Sequence, residues 1–160
     1  MATRSPTSRR SPGARVAVEI YTGDFDPWEV VRQAEQAIPA NARGAASVFV
    51  GRMRDFNEDE DVTGLFLEHY PGMTERELER IVAEAEARWP LLGCHVAHRV
   101  GDVRPGDALV LVATWSAHRI AARDACSDIL ERLKHEAPFW KRETLADGTD
   151  RWVEKNTPGF

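Results

Sequence analysis

The sequence has little of what several protein classes require. Its only cysteines, Cys94 and Cys126, are too far apart for the paired spacing of a zinc site. No apolar run approaches the roughly 20 residues that cross a bilayer, so we predict no transmembrane helix. The 26 acidic residues outnumber the 21 basic ones, which leaves a formal net charge of −5. Because nucleic-acid-binding domains usually carry a basic surface, this charge disfavours that class.

Common catalytic motifs are also missing. The chain has no glycine-rich phosphate loop, no Gly-x-Ser-x-Gly elbow and no His-Glu-x-x-His zinc helix. His95 and His98 stand three apart on a predicted strand, so their side chains point to opposite faces and a metal site built on them is disfavoured. The two cysteines are predicted to be buried free thiols of a reducing cytoplasm, although their number alone also allows a disulfide.

The length and composition suit one globular domain. Hydrophobic residues make up 42% of the 160 residues and charged residues 29%, as in ordinary proteins with a sizeable core. Residues 1–14 are rich in Ser, Arg and Pro without periodicity, which predicts a disordered N-terminal tail. A transit peptide is the alternative for such a start, but no amphipathic pattern supports it. We predict a single domain over residues 15–155 and a C-terminal tail at 156–160.

Capping signals predict three main helices. Asp26-Pro27 should begin the first helix, which runs to about Ala37. A capping box starting at Thr74 should begin the second, which Pro90 stops. The third should span about 117–135 and end before Pro138.

Alternating and apolar runs predict the strands between these helices. They fall from residue 15 onward, at 45–51, 63–70, 95–103 and 108–115, and on both sides of Asp147-Gly148, with an acidic loop at 57–61. The nearly all-apolar strand at 108–115 should lie in the centre of a sheet. Helices separated by strand pairs predict an α+β domain with a mostly antiparallel sheet.

Basic side chains stand at the ends of these predicted elements, where sites are usually built. Arg52 and Arg54 follow a strand, and His118 and Arg119 begin the third helix. A helix N-terminus favours an anion, and added cations repel its positive end unless a ligand compensates. Taken singly, each group also fits a solvated loop charge or a helix cap. Together they predict that Arg54, His118 and Arg119 bind the phosphate of a small substrate.

Two lysines stand on either side of Pro138. Lys134 lies in the last helical turn, where a lysine also simply complements the helix dipole, and Lys141 begins a segment that also fits an exposed charged strand. Because the proline ends the helix, the chain can turn back and bring both amines into one pocket. Mutual repulsion there would lower their pKa values, and such lysines serve as bases, acids or nucleophiles.

Six short strings occur here in the order seen in one family. They are 49–54 (FVGRMR), 67–73 (LEHYPGM), 98–102 (HRVGD), 116–119 (SAHR), 133–134 (LK) and 137–143 (APFWKRE), followed by 147–148 (DG) and 151–152 (RW). In these strings the chain resembles the large, catalytic subunit of molybdopterin synthase over roughly 15–153. The resemblance implies an α/β-hammerhead fold and a large-subunit homodimer at the centre of a heterotetramer. It also implies that the large subunit needs no metal, and we expect no cofactor.

The resemblance further implies a reaction. The family converts cyclic pyranopterin monophosphate to molybdopterin, with sulfur from a thiocarboxylate on the C-terminal glycine of a small ubiquitin-like partner whose tail enters the large subunit. By matching position, Lys134 and Lys141 are the candidate catalytic residues. The substrate-binding candidates are Arg52, Met53, Arg54, His118, Arg119, Lys134, Lys141, Arg142 and Glu143. We therefore expect a cytoplasmic sulfurtransferase with neither a nucleic-acid nor a membrane partner.

Two positions depart from the family pattern, and two other functions stay open. Met53 replaces a branched aliphatic residue, a mild change, whereas Arg123 replaces an aromatic or apolar one, which leaves local packing or the dimer contact in doubt. A catalytically inactive partner-binding module is one alternative, which the presence of both lysines disfavours. A nucleic-acid-binding domain is the other, which the acidic charge and the lack of basic-aromatic stripes disfavour.

Overall fold

Residues 15–57 and 60–153 are described by a computed structural model, and they form an α+β fold. The helices are α1 (Pro27–Gln36), α2 (Met73–Arg88) and α3 (Arg119–Glu136). The strands are β1 (Arg15–Tyr21), β2 (Ala45–Arg52), β3 (Phe56–Asn57), β4 (Glu60–His69), β5 (Leu91–Arg99), β6 (Gly101–Val103), β7 (Ala108–Ser116), β8 (Phe139–Leu145) and β9 (Asp150–Val153). The predicted tails at 1–14 and 156–160 lie outside the described residues, as does the predicted domain end at 155.

The strands form two sheets. The first has the order β1-β5-β7-β2, in which β1 and β5 are parallel and the other pairs antiparallel. The second has the order β3-β4-β8-β9, all antiparallel, and β6 also pairs with β4. The predicted mostly antiparallel arrangement with three helices is confirmed. So is the central place of β7, which is almost wholly buried between β5 and β2.

Helices cover both faces of the first sheet. One core packs α2 and α3 on it, through residues such as Leu78, Ile81 and Ile129 against Val96 and Val112. A second core packs α1 on the opposite face, around the buried side chains of Tyr21, Leu111 and Trp115. A third, smaller core joins the second sheet to the segment after β2, through Met53, Val62, Leu67 and Val103. The space where this third core meets the end of α3 remains open, and the candidate site lies there.

The first helix begins as its capping signal predicts. The carboxylate of Asp26 accepts hydrogen bonds from the backbone N–H groups of Trp28 and Glu29, and Pro27 takes the first helical position. The second helix begins earlier than predicted, at Met73. Glu75 accepts a hydrogen bond from the N–H of Gly72, which makes Gly72 the cap residue. Thr74 instead lies inside the first turn, where its hydroxyl accepts from the backbone N–H of Tyr70 at 3.2 Å.

The predicted acidic loop at 57–61 contains residues of two paired strands. Phe56 and Asn57 pair with Asp61 and Glu60, so this loop prediction was wrong for its described part. Glu60 and Asp61 begin β4, and their side chains are exposed, so their backbones pair with the edge strand β3 without burying a charge.

The predicted strand 95–103 is also two strands rather than one. It divides into β5 and β6 because Gly101 has a positive φ of 85°. The strands that flank Asp147-Gly148 are present as predicted, in the form of β8 and β9.

The two predictions about the cysteines and about membrane-spanning helices can also be compared with the structure. Cys94 and Cys126 are both buried and free, as predicted, and burial raises the pKa of each thiol. The thiol of Cys126 packs on the carbonyl of Val112 at 3.6 Å. In residues 15–57 and 60–153, no helix combines the length and apolar character needed to cross a membrane.

Candidate active site

A cleft of about 380 Å³ opens between the end of β2, the last turns of α3 and the second sheet. Its wall includes apolar side chains, among them Phe49, Leu109 and Leu130. Six of the nine predicted site residues line it: Arg52, Met53, Arg54, Lys134, Lys141 and Glu143. The other three, His118, Arg119 and Arg142, do not.

A narrower inner pocket of about 100 Å³ adjoins this cleft. It shares Arg52, Lys134 and Lys141 with the cleft, and His98 and Phe139 also line it. The rest of its wall is mostly apolar: Leu67, Leu109, Val110, Leu133 and Ala137. The two lysines therefore stand where the wide cleft meets the narrow pocket.

The chain reversal at the end of α3 brings the lysines together. Ala137 leaves the helical conformation with ψ of 138°, Pro138 follows, and β8 returns beside β4. Lys134 in the last turn and Lys141 on the returning strand thus line the same cleft, as predicted. Burial and the charge of Lys134 lower the pKa of Lys141, and the nearby carboxylate of Glu143 opposes this shift. An amine in these surroundings loses its proton more readily than an exposed lysine.

Glu143 is a firmly held carboxylate on the cleft wall. Only 4% of its surface is exposed, and Oε1 accepts a hydrogen bond from Nδ2 of Asn57 at 2.7 Å. Nε of Arg151 lies 3.5 Å from the same oxygen, while its other nitrogens bind Glu60 and the carbonyl of Asn57 at 2.8 and 3.0 Å. The paired strands β3 and β4, together with β9, therefore hold Glu143 two residues along the strand from Lys141, on the same face of β8.

The segment 52–54 reaches the cleft from the end of β2. Met53 is buried, and its backbone exchanges hydrogen bonds with the turn at 104–107, through Asp107 at 3.0 Å and Gly106 at 2.9 Å. Arg52 also donates to the Gly106 carbonyl at 3.2 Å. The guanidinium of Arg54 lies 5.0 Å from the ring centroid of Phe56. Met53 thus anchors the segment while two cations flank it.

Arg142 points away from the cleft. Its guanidinium lies over the rings of Phe66 and Trp152, 5.0 and 5.8 Å from their centroids, and Nε is 3.9 Å from Asp150. Successive residues of a strand face opposite sides of a sheet, so Lys141 and Arg142 cannot both line one pocket of this chain. The match to the family was made along the sequence, and a sequence match does not show which face of β8 the side chain of Arg142 occupies.

His118 and Arg119 lie at the opposite end of α3 from Lys134. His118 caps the helix without a side-chain hydrogen bond, and both side chains are exposed. About four turns separate Arg119 from Lys134, roughly 22 Å at 1.5 Å per residue. One chain therefore does not form the predicted anion pocket from Arg54, His118 and Arg119.

Three residues near the site were missed from the sequence. Asn57 and Arg151 hold Glu143 although they lie 86 and 8 positions from it, and no local pattern marks such a pairing. For His98, the only sequence feature that pointed to the site was its place in one of the six recurring strings, 98–102. Within the described ranges, no three His, Cys, Asp or Glu side chains come together as a metal site would need.

The comparisons with known proteins decide the family. The sequence pattern of the family described as MoaE protein matches residues 21–136. The chain belongs to this family. A relative from Pseudomonas aeruginosa, called molybdopterin synthase catalytic subunit, is 48% identical over 87% of this chain and 91% of its own length.

Solved structures of family members have the same fold. The molybdopterin biosynthesis MoaE protein of Burkholderia ambifaria is 43% identical, covers 88% of both chains and superposes with a TM-score of 0.70. A complex of subunits 1 and 2 of molybdopterin-converting factor from Helicobacter pylori contains a chain that is 25% identical, with a TM-score of 0.73 over 88% of this chain and 92% of that one. The resemblance seen in the six strings is thereby confirmed for the family and its α+β fold.

Proposed function

We propose that this chain is the catalytic subunit of a molybdopterin synthase and acts as a sulfurtransferase. The observation that carries the proposal is the pair Lys134 and Lys141, which line one cleft together with the cations Arg52 and Arg54. The name of the 48% identical relative from Pseudomonas aeruginosa supports the same activity.

The proposed substrate is cyclic pyranopterin monophosphate. Arg54 and Arg52 are suited to its phosphate, because guanidinium groups form charge-assisted hydrogen bonds with phosphate oxygens. Met53 and the apolar wall suit the flat pterin. Replacing oxygen by sulfur on the pterin side chain requires protons to move, and Lys141, whose pKa burial and Lys134 lower, is suited to carry them. Glu143 sets the orientation and charge of Lys141 in this scheme.

The sulfur donor in the proposal is a small ubiquitin-like partner that ends in a glycine thiocarboxylate. The two-subunit complex solved from Helicobacter pylori supports such a partner. Its tail would enter the inner pocket, whose apolar walls and small volume suit an extended chain without side chains, and whose lysines attract its terminal anion. We expect this assembly in the cytoplasm.

The proposed homodimer gives His118 and Arg119 a place in the site. If these residues bind substrate, as their match to the family suggests, they must come from a second copy, because in one chain they lie roughly 22 Å from Lys134. Each cleft would then combine the lysines of one chain with the helix N-terminus of the other. Their exposure leaves both side chains accessible for such a contact.

Reconstitution tests the function directly. The purified chain is incubated with cyclic pyranopterin monophosphate and a thiocarboxylated small subunit, and molybdopterin is quantified over time. We expect product only with the thiocarboxylate, and none when the same subunit ends in an ordinary carboxylate. Binding of the small subunit without any product would show a partner-binding module and reject the enzyme assignment.

A further inference from the structure

His98 forms part of the inner pocket but has no role in the scheme above. It lies on β5 and lines this pocket together with Lys134 and Lys141. Its ring stacks on that of Phe139, with centroids 3.8 Å apart and planes 13° from parallel. Only 6% of its surface is exposed, although the residue forms part of the pocket wall.

Hydrogen bonding determines which ring nitrogen carries the proton. Nδ1 of His98 lies 2.7 Å from the backbone carbonyl of Arg99. A carbonyl oxygen only accepts, so Nδ1 is the donor and Nε2 of the neutral ring is an acceptor. Burial lowers the pKa of His98 to about 3, opposed by the Arg99 hydrogen bond and assisted by the charges of Lys141, Lys134 and His69. The ring is therefore neutral at physiological pH and keeps this tautomer.

Nε2 is an acceptor that the described part of the chain leaves unused. The only hydrogen bond of this side chain there is the one through Nδ1. Within residues 15–57 and 60–153, the buried side-chain atoms without a hydrogen-bond partner lie on His95, Arg99 and Asp128, and Nε2 of His98 is not among them. The other residues of the pocket wall are cations or apolar side chains. Nε2 is therefore suited to accept a hydrogen bond from an N–H or O–H group of a ligand.

We propose that Nε2 of His98 accepts a hydrogen bond from the peptide N–H of a C-terminal glycine that enters the inner pocket. This inference rests on the proposed function, since it takes the partner's tail as the occupant. In a terminal glycine the N–H and the carboxyl group are attached to the same carbon. A tail whose terminal anion meets Lys134 and Lys141 therefore presents its last N–H inside the same small pocket. His98 is then a positioning residue that aligns the terminal anion with the lysines.

Two small probes that differ in one group test the contact. N-acetylglycine has the carboxylate and the N–H, whereas acetoxyacetate replaces that N–H by an ester oxygen. Both are titrated into the full ¹⁵N-labelled chain while the imidazole nitrogens of His98 are followed by NMR. We expect N-acetylglycine to bind with a dissociation constant on the order of 10 mM, as its size allows, and to shift the Nε2 signal. Acetoxyacetate should bind roughly 3- to 10-fold more weakly and leave Nε2 in place.

A variant isolates the acceptor. His98→Phe keeps a ring to stack on Phe139 and removes the acceptor, so it should bind both probes with equal affinity. His95→Phe, on the opposite face of β5, is the matched control and should keep the wild-type preference. If His98→Phe does not fold, the comparison of the two probes on the wild-type chain still decides.

The proposal fails if the wild-type chain binds both probes equally, binds neither, or binds N-acetylglycine without a change at Nε2. These outcomes can be told apart from a failure of the proposed enzyme function. Molybdopterin formation together with equal binding of the probes would reject the role of His98 and leave the enzyme assignment standing. Discrimination between the probes without any molybdopterin formation would support the contact and reject the enzyme assignment.

Discussion

Single residues differ in what they contribute to the cleft, and the two lysines are the residues on which turnover should depend most. We expect Lys134→Ala and Lys141→Ala each to lower the rate of molybdopterin formation at least ~100-fold, the scale of a lost general acid or base. The measurement is the reconstituted rate with saturating small subunit. Arg32→Ala, which removes an exposed cation on α1 away from the cleft, should keep the wild-type rate.

Folding must be separated from chemistry in this experiment. Each variant is therefore compared by its unfolding midpoint and by its affinity for the small subunit. A folded lysine variant that binds the partner and turns over at near the wild-type rate would remove that residue from the mechanism.

The lowered pKa of Lys141 also predicts how stability depends on pH. A lysine whose pKa is lower in the folded chain than its ordinary 10.5 destabilises the fold while it is charged there. This destabilisation is complete below the folded pKa and disappears as the pH rises from that value towards 10.5. Lys141→Met should therefore raise the free energy of unfolding at about pH 7, and part of this gain should vanish near pH 10.5. Urea unfolding of the wild-type chain and of Lys141→Met at both pH values measures this gain in the free energy of unfolding. An equal gain at the two pH values would contradict a pKa lowered by folding.

At the scale of helices and strands, the sequence predicted best what local chemistry determines. Asp26, Pro90 and Pro138 act within a turn of their own positions, so the ends of the helices near them were close to correct. The strand pairs Phe56–Asp61 and Asn57–Glu60 add the edge strand β3 to the second sheet, and the predicted acidic loop missed them because no alternation of apolar residues marks this segment. The same limit applies to the site. The lysines flank a proline that can be read locally, whereas the contact between Asn57 and Glu143 and the outward face of Arg142 appear only once β8 pairs with β4.

Gly44 lies just before β2 and packs closely against the residues that precede α3, so a side chain there should destabilise the contact between these two elements. A Cβ built on Gly44 would lie 2.0 Å from the backbone carbonyl oxygen of Ala117, next to His118. Backbone cannot move aside as a flexible side chain does, so Gly44→Ala should lower the free energy of unfolding by about 1–3 kcal/mol. Gly64→Ala is the matched control in β4, because its nearest neighbour would be 3.8 Å away. Urea titration of both variants is the test, and an equally small effect of the two would contradict the close approach at Gly44.

At the scale of the whole molecule, the number of chains that contribute residues to one cleft has to be determined. The cleft collects six of the predicted residues in one chain, but His118 and Arg119 are at the far end of α3. In a two-fold symmetric dimer any contact made by one chain is repeated by the other, so a helix end that reaches the partner's cleft does so twice. The two clefts of such a dimer would share residues, and neither chain would be active alone.

Mixing of two inactive variants tests whether the site is shared. Arg119→Ala and Lys141→Ala should each impair turnover as homodimers, because every cleft then lacks one of the two groups. After the variants are unfolded together and refolded, half of the dimers contain one chain of each kind. In such a dimer one cleft has lost both groups and the other keeps both, so activity should recover to about one quarter of the wild-type value. Variants refolded separately and then mixed without exchange of chains are the control and should stay inactive. If Arg119 instead served a site within its own chain, every cleft in the mixed dimers would still lack one group, and co-refolding would restore nothing.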